Sequence, residues 1–359
     1  MPMQLDPSMD VMDEKVTLEQ CNIDGQEYFK IKNSHLMRPF FMSVVSDSNH
    51  WMFISSNGGL SAGRKDADHA LFPYYTDDKI TESSGITGSK TILRVRTDKE
   101  IIIWEPFSKR SINRFNIVRN IYKSCMGNSV IFEEINTDLE LSFRYQWQSG
   151  DYFGFIRTSS LVNHSSNAIE IELIDGIQNV LPAGVGADLQ TRVSNLVDAY
   201  KRTELHAESG LAIFALSSKI VDRAEPSEAL KANVAWSRGT SVNHYLLSSK
   251  QLNAFRRKGI VTTETDIKAE KGAYLLQISK YLEPETRSSW EIIANVNIDH
   301  TGIVQLIETL RSNQQLEQRV EEDIEAGNQK LLKLCASADA LQLTADTLRD
   351  SRHYSNVLF

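Results

Sequence analysis

The sequence has 359 residues, a formal net charge of -8 and 41% hydrophobic residues, which suffices for one large domain or two smaller ones. An acidic chain without a long basic block does not favour nucleic acid as a partner, because such surfaces neutralise phosphates with Lys and Arg. No apolar run approaches the roughly 20 residues that cross a bilayer, and the acidic amino terminus lacks the apolar core of a signal peptide. Composition therefore argues against a membrane partner and predicts a cytoplasmic location.

The predicted strands run from about Glu27 to Asn297, with alternation of apolar and polar residues as the main signal. The clearest case is "LELSFRYQW", whose apolar residues at positions 139, 141, 143, 145 and 147 share one face of a half-buried strand. So many strands without alternating helices predict a mainly β fold, a two-sheet antiparallel supersandwich.

The stretch "ISSNGGLSAGRKDADHALFPYYTDD" (residues 54–78) nearly spells a phosphate-binding loop. Gly58 and Gly63 have the required spacing. However, Arg64 stands where the loop needs Lys, and Pro73 interrupts the segment that should continue as a helix. The sequence therefore argues against a nucleotide site here.

The stretch "AIEIELIDG" repeats the strand pattern, with Ile169, Ile171 and Leu173 facing inward. At its end, Asp175 and Gly176 are interpreted as a hairpin turn rather than a catalytic pair. The paired carboxylates Glu133-Glu134, Asp77-Asp78 and Glu321-Glu322 are interpreted as solvated or turn residues, because neighbours in sequence need not converge across a glycosidic bond.

Two helical regions are predicted. The stretch "ADLQTRVSNLVDAYKR" (residues 187–202) has Leu189, Val193, Leu196, Val197 and Tyr200 on one stripe at helical spacing. After residue 299 the apolar period becomes helical again. Asp299 or Thr301 can supply the N-cap of the first helix. A break between helices is predicted near Gly327. Helices packed on the sandwich are preferred to a coiled coil.

The order of a large antiparallel sandwich followed by a helical segment resembles the amino-terminal part of cellobiose phosphorylase-like enzymes, glycoside hydrolase family 94 and its relatives. The stretch "WMFISSNGGLSAGRKDADHALFPYYTDDKI" is similar in layout to the family's strand followed by Asn, Arg, an aromatic-proline pair and an acidic turn. It departs from the family at Gly58-Gly59 and at "FPYYTDD". The resemblance implies a galactose mutarotase-like supersandwich over residues 1–300. A helical linker over residues 301–359 would lead to an (α/α)6 catalytic barrel that this chain lacks.

Sugars are bound by aromatic faces together with planar polar side chains, because a pyranose presents an apolar C–H face and a rim of hydroxyls. The stretch 54–78 concentrates both kinds on a predicted loop, which also carries Asp68 and His69. The alternative is that this loop only packs the sandwich against helices or a barrel. The predicted substrate-binding residues are Asn57, Arg64, Tyr74, Tyr75, Asp77 and Asp78.

The resemblance implies a non-catalytic amino-terminal domain of a glycoside phosphorylase or hydrolase, shaping the sugar site and a domain or dimer interface. Its partners would be a sugar or oligosaccharide, the catalytic barrel of the same protein and a second copy of the chain. No cofactor is implied, and inorganic phosphate would be a co-substrate of the full-length enzyme. Alone, the chain is expected to bind gluco- or cello-oligosaccharides weakly and to neither cleave nor phosphorolyse a glycoside.

Two alternatives stay open. In mutarotase-type epimerases an Asn-His pair on a comparable strand carries the general acid, and His164 in "LVNHSS" matches that position. Such an enzyme needs a second His and a Glu as base, for which His206 and Glu283 or Glu291 are the candidates. The other alternative is a non-enzymatic carbohydrate-binding or oligomerisation module. No catalytic residue is assigned, and the spacing of Cys21, Cys125 and Cys335 matches no zinc motif.

Overall fold

The structure is a computed structural model that describes residues 15–97, 100–192, 194–218, 230–312 and 315–339. These residues form twenty strands, seven α-helices and three short 3₁₀ turns. The first ten strands are β1 Thr17–Ile23, β2 Gln26–Lys32, β3 Phe41–Val44, β4 His50–Ser55, β5 Leu60–Arg64, β6 Ala70–Phe72, β7 Gly88–Arg96, β8 Ile101–Trp104, β9 Ile117–Ser124 and β10 Val130–Asn136. The remaining strands are β11 Leu141–Gly150, β12 Gly154–Asn163, β13 Ile169–Val180, β14 Lys201–His206, β15 Leu211–Leu216, β16 Lys231–Arg238, β17 His244–Leu246, β18 Asp266–Lys268, β19 Gly272–Leu282 and β20 Arg287–Asp299.

The helices are α1 Asp77–Glu82, α2 Lys109–Ile112, α3 Ala187–Arg192, α4 Ser194–Tyr200, α5 Leu252–Lys258, α6 His300–Ser312 and α7 Leu316–Asp339. The 3₁₀ turns are Ser34–Leu36, Ala67–His69 and Ser83–Gly85. Among the described residues, no helix combines the length and apolar character needed to cross a membrane.

The strands form three sheets, and every described strand pair is antiparallel. The large sheet has eleven strands in the order β1-β2-β9-β10-β11-β12-β20-β16-β15-β14-β18. A five-stranded sheet has the order β17-β19-β13-β7-β8, and a four-stranded sheet runs β3-β4-β5-β6. The mainly β, antiparallel fold class predicted from the alternation is thereby confirmed, and the four-stranded sheet is an addition that the sequence did not predict.

One apolar core is shared by all three sheets. The inward face of β11 contributes Leu141, Phe143, Tyr145 and Trp147, all buried as the alternation predicted. The strand begins at Leu141, two residues later than predicted, because the chain turns just before it. Residues of β13 and β19 from the five-stranded sheet, and of β4 and β5 from the small sheet, complete the same cluster.

Two predictions about acidic residues are wrong. Asp175 and Gly176 lie inside β13, paired with Leu276 and Leu275 of β19, so they form no hairpin turn. Glu133 and Glu134 lie on β10 and are 3% and 0% exposed, so they are not solvated. All three carboxylates accept hydrogen bonds from buried donors on other strands, which compensates their burial. Local sequence does not reveal such partners.

The helical predictions are confirmed in part. Residues 187–202 form two short helices, α3 and α4, and Lys201 already begins β14. Val197 of the predicted stripe is buried whereas Leu196 is half exposed, and Val193 lies outside the described residues.

The two carboxyl-terminal helices pack on the large sheet. Asp299 accepts the backbone N–H of Gly302 at 2.8 Å, which confirms it as the N-cap of α6. The helices separate between Ser312 and Leu316, not near Gly327, which lies within α7. Their apolar stripe joins a second cluster with strands of the large sheet, including Ile156, Val234, Trp236 and Ile293.

Candidate functional site

The stretch that resembles a phosphate loop is a hairpin between β4 and β5. The backbone N–H of Gly58 donates to Ser55 O, and that of Ser55 to Gly59 O, both at 2.8 Å. Gly58 has a φ of 89°, and a Cβ there would lie 2.9 Å from the Tyr145 hydroxyl oxygen. A glycine is therefore needed both for the left-handed backbone and for the close approach of the turn to Tyr145. The chain continues as a strand, so the geometry of a phosphate loop is absent from this segment.

A cleft of about 310 Å³ opens beside this turn, which places it at the lower end of the range for small-molecule sites. Its walls are the β4–β5 turn, the 3₁₀ turn after α1, the start of β7 and the segment between β8 and α2. The lining combines hydroxyls, one amide, charged groups and two aromatic rings. The polar and aromatic members are Asn57, Glu82, Ser84, Ser89, Lys90, Thr91, Phe107, Ser108, Lys109, Arg110 and Tyr145.

Phe107 forms the aromatic wall in a strained conformation. Its φ is 62°, a left-handed value that is costly for a bulky residue. Its backbone N–H donates to the Glu134 carboxylate at 2.6 Å, and its ring packs edge-on against Tyr145 at 5.1 Å between centroids. These contacts therefore stabilise the left-handed backbone conformation of Phe107. Strained backbone of this kind is typical of functional segments.

A buried ion pair lies beneath the cleft and fixes the position of residues in its lining. Arg157 donates to both carboxylate oxygens of Asp175 at 2.7 and 2.9 Å, and both side chains are fully buried. Arg157 Nε also donates to Ser89 Oγ at 2.9 Å, and Thr91 Oγ1 donates to Asp175 at 2.7 Å. The guanidinium carbon lies 4.9 Å from the centre of the Tyr145 ring. Three cleft residues are therefore held in place by one network.

The charged end of the cleft is organised around Glu105. This carboxylate accepts from Arg256 Nε at 2.7 Å and Nη2 at 3.0 Å, and from Lys90 Nζ at 3.1 Å. Burial would raise the pKa of Glu105, but these cations outweigh it and lower the pKa to about 2. Burial also lowers the pKa of Lys90, and Glu105 opposes part of that effect.

The structure brings one predicted site residue, Asn57, into the cleft. Its Nδ2 donates to Thr81 O at 2.8 Å and its Oδ1 accepts from the Gly59 N–H at 3.2 Å, so it shapes the turn as well. Arg64 lies at the other end of β5, paired with Asp151.

The remaining predicted residues lie on the segment after β6. Tyr74 is 42% exposed and packs edge-on against Trp51. Tyr75 lines a separate cavity of about 70 Å³. Asp77 and Asp78 are exposed in the first turn of α1. None of these four residues lines the cleft that contains Asn57. Their role in sugar binding stays a prediction.

The two histidines proposed for a mutarotase-like reaction do not meet. His164 is exposed just beyond β12, with its Nε2 2.8 Å from Ser142 Oγ, and His206 is the last residue of β14. Strand β14 is four places from β12 in the large sheet, or about 19 Å at the usual spacing between strands. Neither histidine lines the cleft.

Sequence reasoning missed Lys90, Glu105, Phe107 and Arg110. The stretch "EPFSKR" (residues 105–110) offered one signal, since a proline and two cations follow a run of apolar residues. Lys90 gave no signal, because one lysine in an alternating strand has the pattern of a solvent-facing residue.

No family model and no curated protein sequence matches this chain. Among solved structures it is similar to a bacterial glucoamylase complexed with acarbose, with 8% identity, a TM-score of 0.45 and coverage of 94% of this chain and 43% of that one. A kojibiose phosphorylase from the human microbiome gives 10% identity, a TM-score of 0.29 and coverage of 74% and 27%. An aldose 1-epimerase from Klebsiella pneumoniae gives 9%, a TM-score of 0.36 and coverage of 84% and 93%. The chain spans less than half of the first two, and likeness at this level assigns no activity.

Proposed function

We propose that this chain binds a carbohydrate in the cleft between the β4–β5 turn and the segment after β8. The observation that carries the proposal is the composition of the lining. The ring of Phe107 can face the apolar side of a pyranose, while hydroxyls, the Asn57 amide and charged groups can pair with its hydroxyl rim. The network beneath the cleft keeps the hydroxyl-bearing side chains of Ser89 and Thr91 in position before a ligand arrives.

We further propose that the chain is a binding domain of a carbohydrate-active enzyme, with the catalytic acid on another domain. Glycoside cleavage needs a carboxylic acid with a raised pKa opposite a second carboxylate. The described lining of the cleft contains one carboxylate, Glu82, and the neighbouring Glu105 is ionised and surrounded by cations. A stand-alone epimerase is less well supported, because His164 and His206 lie four strands apart.

The test of binding is calorimetry with gluco- and cello-oligosaccharides. An open cleft of this size should give a dissociation constant of about 0.1–1 mM. Gly85→Trp should weaken binding at least about tenfold, since a Cβ at Gly85 meets nothing within 4 Å and the indole would occupy the cleft. Ser241→Trp is the control, because it adds the same indole to an exposed loop outside the cleft. Equal binding by wild type and Gly85→Trp would contradict the assignment of the cleft.

The test of catalysis uses the same purified chain. We expect no glycoside cleavage with or without phosphate, and no acceleration of aldose mutarotation in a polarimeter. Turnover that His164→Ala abolishes would refute the binding-domain proposal and favour the epimerase.

A further inference from the structure

The cleft carries an excess of positive charge at one end. Its lining contains three cations, Lys90, Lys109 and Arg110, against one carboxylate, Glu82. Glu105 adjoins the lining through its hydrogen bond with Lys90. Arg256 adds a fourth cation through its ion pair with Glu105. The chain as a whole has a net charge of -8, so the local excess of cations runs against the average composition.

Glu105 does not use all of these cations. Arg256 already occupies it with two hydrogen bonds, and Lys90 donates a third. Arg110 reaches the same carboxylate only at 3.5 Å, the limit of a hydrogen bond, and its side chain is 68% exposed. The guanidinium of Arg110 therefore remains available to a ligand in the cleft.

Lys90 has unused donors in a confined place. Its side chain is 16% exposed, and an ammonium group has three N–H donors. Among the described contacts its Nζ donates to one acceptor, Glu105 Oε2. A largely desolvated cation with spare donors gains more from an anion than a fully solvated one, because the local dielectric constant is lower.

We infer that this end of the cleft binds an oxyanion carried by the sugar, either the carboxylate of a uronic acid or the phosphate of a sugar phosphate. The inference rests on the proposed function, since it names the class of carbohydrate that the same cleft takes. Lys90 and Arg110 would hold the anion, while Phe107 and the hydroxyl-bearing side chains would hold the ring. Binding of the anion also favours the protonated form of Lys90, whose pKa burial lowers in the free protein.

The experiment compares ligands that differ only in the charged group. Glucose, glucuronate and glucose 6-phosphate are titrated by calorimetry at low ionic strength, with acetate and inorganic phosphate as anions without a sugar. We expect at least one anionic sugar to bind about tenfold more tightly than glucose, and this advantage to shrink as salt is added. The stronger of the two anionic sugars identifies the source of the oxyanion.

Two variants test whether the cationic side chains, rather than the fold as a whole, produce the preference for the anionic sugar. Arg110→Ala and Lys90→Met should each weaken binding of the anionic sugar about tenfold, and by more than they weaken binding of glucose. Arg110 is exposed, so its loss leaves the fold intact, and Glu105 keeps Arg256 when Lys90 is replaced. Lys268→Ala is the control, because Lys268 is a similarly exposed cation on the edge strand β18.

Each outcome decides at least one of the two proposals. Equal binding of glucose and both anionic sugars overturns the anion inference but leaves the carbohydrate cleft in place. Binding of acetate or phosphate as tightly as the anionic sugars, with no binding of glucose, overturns the carbohydrate proposal. No binding by any probe up to about 10 mM overturns both.

Discussion

Asp175 is fully buried at the centre of the sandwich and accepts from donors on three other strands. Arg157 on β12 binds it with two hydrogen bonds, Thr91 on β7 donates at 2.7 Å, and Trp290 on β20 donates its Nε1–H at 2.8 Å. A buried carboxylate is tolerated only when its charge and lone pairs are matched in this way. Asp175 thereby joins the two larger sheets and supports the cleft through Ser89 and Thr91.

Asp175→Ala should destabilise the protein by about 3–5 kcal/mol, because it leaves the Arg157 guanidinium buried without its counter-ion. The matched control is Glu170→Ala on the same strand, an exposed carboxylate 3.0 Å from Arg96, which should cost less than about 1 kcal/mol. Urea unfolding followed by circular dichroism measures both. Equal losses in the two variants would show that the ion pair does not stabilise the sandwich.

His50 is a second buried titratable residue, 5% exposed on β4. Its Nδ1 lies 2.9 Å from Ser48 Oγ, while its Nε2 has no hydrogen-bond partner among the described residues. Burial, helped by the nearby Arg64, lowers the pKa of His50 to about 3, although Asp151 opposes the shift. The folded protein therefore keeps this imidazole neutral at pH values at which the unfolded chain protonates it.

The unfolded chain binds this proton below a pKa of about 6.5, and the folded state only below about 3, so stability is lost as pH falls across that window. Between pH 6.5 and 5 the loss from His50 should reach about 2 kcal/mol. His50→Gln should remove this part of the pH dependence in urea unfolding, whereas His164→Gln, at an exposed position, should not. The same slope in wild type and His50→Gln would contradict the prediction.

At the scale of elements, the Asp323 side chain of α7 binds the backbone of the turn between β11 and β12. Asp323 accepts the backbone N–H groups of Tyr152 and Phe153, the latter at 2.9 Å. The approach is so close that a Cβ at Gly150 would lie 2.1 Å from Asp323 Oδ2. The apolar stripe of α7 provides the buried apolar area between helix and sheet. The Asp323 contact sets the position of the helix along the sheet.

Asp323→Ala should cost about 1–3 kcal/mol, because two backbone donors lose their acceptor. Hydrogen exchange at the Tyr152 and Phe153 amides should accelerate more than elsewhere on the large sheet. Glu322→Ala, one position away on the exposed side of α7, is the control. Unchanged exchange at both amides would mean that the hydrogen bonds to Asp323 do not stabilise this turn.

For the whole molecule, the relevant feature is that three sheets bury their side chains in one cluster. Met52 and Ile54 of the small sheet lie in the same core as Phe143 of the large sheet and Leu276 of the five-stranded sheet. No sheet can lose its partner without exposing that core, so the sandwich should unfold as one cooperative unit.

Thermal or urea unfolding should accordingly give coincident transitions by far-ultraviolet circular dichroism and by tryptophan emission. The probes report on different sheets, because Trp51 lies on β4, Trp147 on β11 and Trp104 on β8. Trp51→Phe removes the reporter of the small sheet and should leave the midpoint seen by emission unchanged. Two separated transitions would show that the small sheet folds independently of the other two.

The sequence alone determined what depends on local periodicity. Alternation on β11 and β13 identified the inward residues, since side chains of a strand point to opposite faces. The change to a helical period after residue 299 located α6, and Asp299 capped it. The proline after the glycine-rich stretch argued correctly against the helix of a phosphate-binding loop, since the segment is a hairpin that continues as a strand.

Only the tertiary structure decided which polar groups are buried and where the cleft lies. Glu134 and Asp175 have the sequence context of solvated or turn residues, yet each is enclosed by donors from other strands, such as Trp290, which lies 115 positions from Asp175. The cleft likewise joins the turn at Gly58, β7 and the segment at Phe107, which the pairing of β7 with β8 and the packing of the small sheet on the shared core bring together. Such juxtapositions arise from sheet order and strand register, and a sequence pattern with a period of two carries no information on which distant strands become neighbours.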